Sequence, residues 1–201
     1  MSTTGNMSKT PTKTDASHHL QFKPREITTP SKDHQGITKT VYSHVSKLHS
    51  LLTDWFKMKE KGVRLCKAIS ALKLHECMSD YYPSQLKPLM ESLLEILGSL
   101  KNIVDGISIL NNQLMALAKL QPTNEPVIST WSISKISKNV TEIFESLQKE
   151  YRLKQVITEN VAHCRDEKLI EVYISAWEFE VYFNFQFLAY LLAEVGLTSV
   201  S

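Results

Sequence analysis

Apolar residues along this chain take up helical spacing from Val41 almost to the C-terminus, after an opening stretch with few large apolar positions. Val41, Val45, Leu48, Leu52 and Trp55 alternate four and three residues apart, which predicts an amphipathic helix with one narrow apolar stripe. Lys59-Glu60-Lys61-Gly62 interrupts the stripe, and Gly62 fits a helix C-cap. Apolar positions resume at Leu65, Cys66, Ile69 and Leu72, so residues 37–80 read as one kinked helix or as two. Tyr81-Tyr82-Pro83-Ser84 marks a turn, and Pro88 suits the first turn of the helix that follows.

The segment 84–120 has the most regular pattern. Leu86, Leu93, Leu100, Ile107 and Leu114 stand seven apart, as do Leu89, Ile96, Ile103, Leu110 and Leu117. A third column reads Met90, Leu97, Val104, Asn111 and Ala118. Three adjacent columns make a face too wide for a two-stranded seam, so the helix needs cover on two sides, as in a bundle. Asn111 in the third column is either a register-fixing polar residue or an exposed edge position. Gly98 and Gly106 each cost roughly 1 kcal/mol relative to Ala inside a helix. Close helix approach, or a bend at Asp105-Gly106, would explain them.

Pro122 and Pro126 make 121–130 a linker. Within 131–201 the spacing returns at Ile133, Ile136, Val140, Ile143 and Leu147, then at Ile157, Val161 and Cys164, with Phe144 and Tyr151 widening the face. Arg165-Asp166 reads as a break, with Asp166 capping a short helix through Leu169, Val172, Tyr173 and Ala176. Gly196 reads as the C-cap of the last helix. Phe179, Val181, Phe183, Phe185 and Phe187 alternate with polar residues and Tyr182, the signature of a strand. No second strand is evident, so the expectation is a helix from about Asn184 with an extended stretch before it. An exposed strand there would suit pairing with a partner's sheet.

The fold class expected is all-α: an elongated antiparallel helical bundle, coiled-coil-like, with a disordered Ser/Thr-rich tail at 1–36. A net charge of +2 draws the molecule to neither nucleic acid nor membrane. Three cysteines cannot all pair, which favours reduced thiols in a cytosolic or nuclear setting. Met1 to Gly5 lack the apolar core of a signal peptide, so none is expected, and the sequence contains no run of about 18 apolar residues and no phosphate-cradling glycine arrangement.

Candidate chemistry is sparse. His75-Glu76-Cys77, Cys66 and His163-Cys164 offer N and S ligands but contain no Cys-x-x-Cys pair, and buried thiols are the simpler reading. Cys164, His163 and Asp166 do not line up as nucleophile, base and orienter, because sequence neighbours on a helix point apart. The Asn139-Val140-Thr141 sequon lies mid-helix and is expected to be silent. Lys149, Arg152 and Lys154, with Glu150 among them, read as a solvated face. The expectation is a non-enzymatic chain with no cofactor and no metal.

In the tail, Thr10-Pro11-Thr12-Lys13 and Thr29-Pro30-Ser31-Lys32 share the Thr-Pro-x-Lys form that proline-directed cell-cycle kinases prefer, making Thr10 and Thr29 candidate phosphosites. Phosphate on either would add up to about −2 charge. His18-His19-Leu20-Gln21-Phe22 is a degenerate cyclin-docking motif.

Thr130-Trp131, Tyr151-Arg152, Leu153-Lys154, Ala162-His163, Leu169, Tyr173, Ser175, Trp177 and Leu192 to Gly196 are spaced as in another set of proteins, and so is Val104-Asp105-Gly106-Ile107. On these residues, over about 37–196, the chain resembles the cyclin-dependent kinase 2-interacting protein family. It departs at Phe179 to Phe187, aromatic and proline-free where that family tends to a polar, proline-containing connection. The resemblance implies a nuclear, all-helical adaptor without enzymatic activity. The implied partners are a cyclin-dependent kinase with its cyclin, a replication-initiating kinase, a checkpoint kinase partner and AAA-type ATPase subunits of a chromatin-linked complex. Such a complex serves replisome turnover and maturation of the large ribosomal subunit. The candidate partner contacts are Trp131, Tyr173, Trp177, Phe183, Phe185 and Phe187. The alternative is a structural coiled-coil protein that self-associates through 86–118.

Overall fold

A computed structural model describes residues 32–76 and 84–197. All regular structure among them is helical. Helix α1 spans Lys32–Ala71 and runs into a π-helical turn at Leu72–Glu76. Helix α2 spans Leu86–Leu120, α3 Ile133–Val161, α4 Glu167–Glu178 and α5 Phe185–Val195. The tail motifs with Thr10, Thr29 and His18 to Phe22 lie outside the described residues, as do Cys77 and the turn at 81–83.

The three long helices form an antiparallel set, as the heptad columns require. His44 and Leu51 of α1 meet Gln113 and Gly106 of α2, so the numbering runs in opposite senses along the pair. Asn111 of α2 meets Thr141 of α3, while Lys101 of α2 lies within electrostatic reach of Tyr151 of α3. Helix α2 packs along both α1 and α3, and α4 and α5 close the bundle between those two. The column Leu86, Leu93, Leu100, Ile107 and Leu114 is fully buried. The face proposed for self-association is therefore covered within the chain itself.

Several features depart from the expected boundaries. Helix α1 starts at Lys32 rather than after 36: the half-buried Ile37 carries its stripe one turn further back, and the Thr40 hydroxyl donates to the Gly36 carbonyl at 2.9 Å. Gly62 ends nothing, since α1 continues unbroken to Ala71. A Cβ on Gly62 would stand 2.3 Å from Nε1 of Trp177. The missing side chain is thus a slot for the indole, whose Nε1 donates to the Lys59 carbonyl at 3.2 Å. Gly106 also marks a close approach, with a virtual Cβ 3.3 Å from Leu51, whereas Gly98 faces open space. Cys164 lies past the end of α3 and is half-buried, not on an apolar column.

Asn111 is buried, so the edge-position alternative fails; its Oδ1 accepts from the Thr141 hydroxyl at 2.8 Å, a polar tie between α2 and α3. Asn139 is buried inside α3. The Asp166 cap is made, with its Oδ1 accepting from the N–H groups of Lys168 and Leu169. Gly196 closes α5 in the left-handed conformation at φ 74°, and Leu197 N–H returns to the Leu192 carbonyl at 2.8 Å. The alternating stretch resolves as expected: α4 ends at Glu178, residues 179–184 run without regular structure, and Asn184 caps α5 by accepting from Gln186 N–H.

Candidate functional site

The densest chemistry sits where α1, α3 and the 179–184 strap converge. In α3 the apolar stripe runs Ile143, Leu147, then Glu150 and Lys154, then Ile157 and Val161. The two charged residues occupy core positions in that phase, and both side chains are 0% exposed. Lys154 and Glu150 thus overturn the solvated-face reading; Lys149 and Arg152, off that phase, do face solvent.

Lys154 Nζ lies 3.2 Å from Glu150 Oε2 and 3.5 Å from Glu180 Oε2. It also stands 5.8 Å from the ring centre of Trp55 and 5.9 Å from that of Trp177, near the limit of a cation–π contact. Glu180, 1% exposed at its side chain, accepts from Trp55 Nε1 at 3.1 Å. Glu150 Oε1 accepts from the backbone N–H of Tyr182. One ammonium therefore serves two buried carboxylates, and the two tie the strap to the core at Glu180 and Tyr182. Burial pushes the Glu180 carboxyl above its ordinary range; Lys154 opposes that shift and Glu150 adds to it. Cys66 shares this core, and burial drives its thiol up to about 12, which keeps it neutral.

Because Glu180 turns inward, its neighbours turn out. Phe179 is 66% exposed, and Val181 and Tyr182 are exposed beside it. Over 179–182 the strap is inside-out relative to ordinary burial, with Glu180 in the core and Phe179, Val181 and Tyr182 in water. Val181 and Phe179 border an open groove of about 680 Å³ that continues along Val172, Ser175 and Ala176 of α4, with Lys168 and Glu171 at its edge. Further along, Phe56, Phe183 and Phe185 form an aromatic cluster: Phe183 meets Phe185 edge-on at 4.9 Å, and Phe56 stacks on Phe185 at 5.7 Å.

The six candidate contacts divide accordingly. Trp177 is fully buried and Phe183 nearly so, so both anchor the fold. Trp131, Tyr173 and Phe187 are half-buried against the core, with Lys135 Nζ 4.4 Å over the Trp131 ring. Of the six, only Phe185, 51% exposed, is more exposed than buried. Phe179, Val181 and Val172, not among the six, are as exposed or more so. For Phe179 and Val181 the outward direction follows from where Glu180 points, which no local pattern encodes.

A second polar site joins the two ends of the 130–196 region. Glu194 of α5 accepts from the N–H groups of Ser129, Thr130 and Trp131 at its Oε1, and from the Thr130 hydroxyl at its Oε2. The Ser129 hydroxyl donates to the Glu194 carbonyl at 2.9 Å. Desolvation alone would raise the Glu194 carboxyl; the hydrogen bonds from Thr130, Trp131 and Ser129 outweigh it and hold the group below its usual range. Thr130-Trp131 and Leu192 to Gly196 are therefore two halves of one clamp. Among the described residues no group of three or more His, Cys, Asp or Glu side chains could hold a metal ion, and no helix is long and apolar enough to cross a membrane.

No family model matches the chain. Over 191 residues it is 22% identical to the cyclin-dependent kinase 2-interacting protein of Mus musculus, covering 81% of this chain and 90% of that protein. It is 20% identical to the Bos taurus protein of the same description, over the same shares. The chain is thus an all-helical bundle with distant similarity to cyclin-dependent kinase 2-interacting proteins along most of its length.

Proposed function

We propose that this chain is a non-enzymatic adaptor that binds a cyclin-dependent kinase complex through the apolar face of α4 and the 179–185 strap. The observation that carries the reading is the inside-out strap. Phe179 and Val181 are exposed at the edge of an open groove, with Tyr182 and Phe185 exposed further along, on a backbone fixed by buried charges. Exposed contiguous apolar surface that the fold itself holds outward is characteristic of a docking site. The distant similarity to proteins named for binding cyclin-dependent kinase 2 supports the choice of partner class.

The proposal extends to a nuclear location and to the wider partners the resemblance implies: a replication-initiating kinase, a checkpoint kinase partner and AAA-type ATPase subunits. The roles that go with them are DNA replication, the damage checkpoint, replisome turnover and large ribosomal subunit maturation.

The test is binding of a purified cyclin–kinase pair to the full chain and to a Phe179→Ser/Val181→Ser variant. Both positions are more than half exposed, so the variant should fold as the parent does. The expected result is at least a tenfold loss of affinity with an unchanged melting temperature, as for loss of a hot spot worth about 1.4 kcal/mol or more. Undiminished binding by the folded variant contradicts it.

A further inference from the structure

Two buried carboxylates facing a single ammonium leave one negative charge too many for a core that excludes water. Glu150 is well provided, with Lys154 Nζ at 3.2 Å on Oε2 and the Tyr182 N–H on Oε1. Glu180 is not. Its Oε1 accepts from Trp55, but its Oε2 is buried without a hydrogen-bond partner, and Lys154 Nζ stands 3.5 Å away as an ion-pair contact alone. A buried carboxylate oxygen in that position is costly charged and far cheaper neutral.

The other groups facing the site supply little of the missing charge: Lys59 acts on Glu180 in the same sense as Lys154 but more weakly. From α1 come the neutral indole of Trp55, the protonated thiol of Cys66 and the more distant ammonium of Lys59, which is drawn toward the Phe56 ring at 5.7 Å. From α3 come Glu150 and Lys154 alone, from α4 the indole of Trp177, and from the strap the Tyr182 amide.

We propose that the strap 179–184 is a proton-dependent latch: one proton resides on Glu180 in the closed state, and its loss releases the strap from Trp55 and Lys154. Closed, the cluster is electrically neutral, with Glu180 as the acid, Glu150 as the anion and Lys154 as the cation. Ionisation puts a net negative charge into the core, and the strap relieves it by swinging Glu180 into water. That movement carries Phe179 and Val181 off the groove they border, so the exposed face exists in the protonated, closed state. The latch is a property of the chain by itself and does not depend on which partner the face receives.

Amide hydrogen exchange over 179–184 in the full chain, corrected for the intrinsic base-catalysed rate, is the direct test. Protection in the native chain should fall roughly tenfold per pH unit once the pH exceeds the closed-state value of Glu180. Glu180→Gln, neutral at every pH, should keep its protection flat across the same range. A native chain whose corrected protection does not change with pH, or a Gln variant that follows the native profile, overturns the proposal. Should Glu180→Gln fail to fold, the carboxyl 13C resonance of Glu180 in the native chain decides. A shift that titrates above the ordinary glutamate range supports the latch, and one that titrates within or below it refutes it.

Discussion

Glu194 and Glu180 are both carboxylates turned into the protein, and they meet opposite surroundings. Three consecutive backbone N–H groups and a hydroxyl converge on Glu194, so its charge is fully answered and its carboxyl is held below the ordinary range. Glu180 has one indole N–H and part of one lysine, shared with Glu150, and burial drives it the other way. The supply of donors, more than depth, sets the state of a buried acid. One site behaves as a rivet and the other as a latch.

The comparison breaks most visibly at Lys154. Lys154→Ala leaves the buried Glu150 carboxylate without its counter-charge and should cost about 3–5 kcal/mol, read by urea unfolding. Glu194→Ala strands three N–H groups at the edge of the bundle and should cost less, about 1–3 kcal/mol, with loosening confined to 127–131 and the end of α5. Loss of equal size at both sites would argue that burial alone governs them. Asn111→Ala removes a neutral polar tie between α2 and α3 that involves no charge; a cost of about 1 kcal/mol, independent of pH, provides the baseline for both acids. Smallest is Gly98→Ala, where nothing meets the new Cβ: a gain of about 0.5–1 kcal/mol in melting experiments. The same change at Gly62 drives a methyl into Trp177 and should destabilise by about 1–3 kcal/mol or more.

Much of the fold is legible in the spacing of residues along the chain. The heptad columns of α2 required two covering helices, and α1 and α3 supply them; Asp166, Asn184 and Gly196 act as caps because capping chemistry is local. The sites were less legible, for distinct physical reasons. Glu150 and Lys154 carried a signal in their phase, three and seven residues past Leu147 on the buried stripe, which their charge concealed. Gly62 resembled a helix stop because a sequence does not show that an indole more than a hundred residues away needs the room. The Glu194 clamp uses backbone N–H groups as ligands, and backbone donors leave no trace in side-chain pattern. The strap's alternation implied the extended backbone but not its facing, since Glu180 rather than Phe179 points inward.

The two acids predict opposite pH dependence. Glu194, held low when folded, contributes stability that is complete above the unfolded carboxyl value of about 4.3 and is lost as pH falls through the folded value. Glu180, held high when folded, contributes stability that is complete below that unfolded value and is lost as pH rises through the folded one. Urea-unfolding free energies as a function of pH, for the native chain, Glu194→Gln and Glu180→Gln, test this most directly. The expected outcome is that Glu194→Gln flattens the acid limb alone and Glu180→Gln flattens the limb above it alone. Both substitutions flattening the same limb, or neither altering the profile, would contradict it.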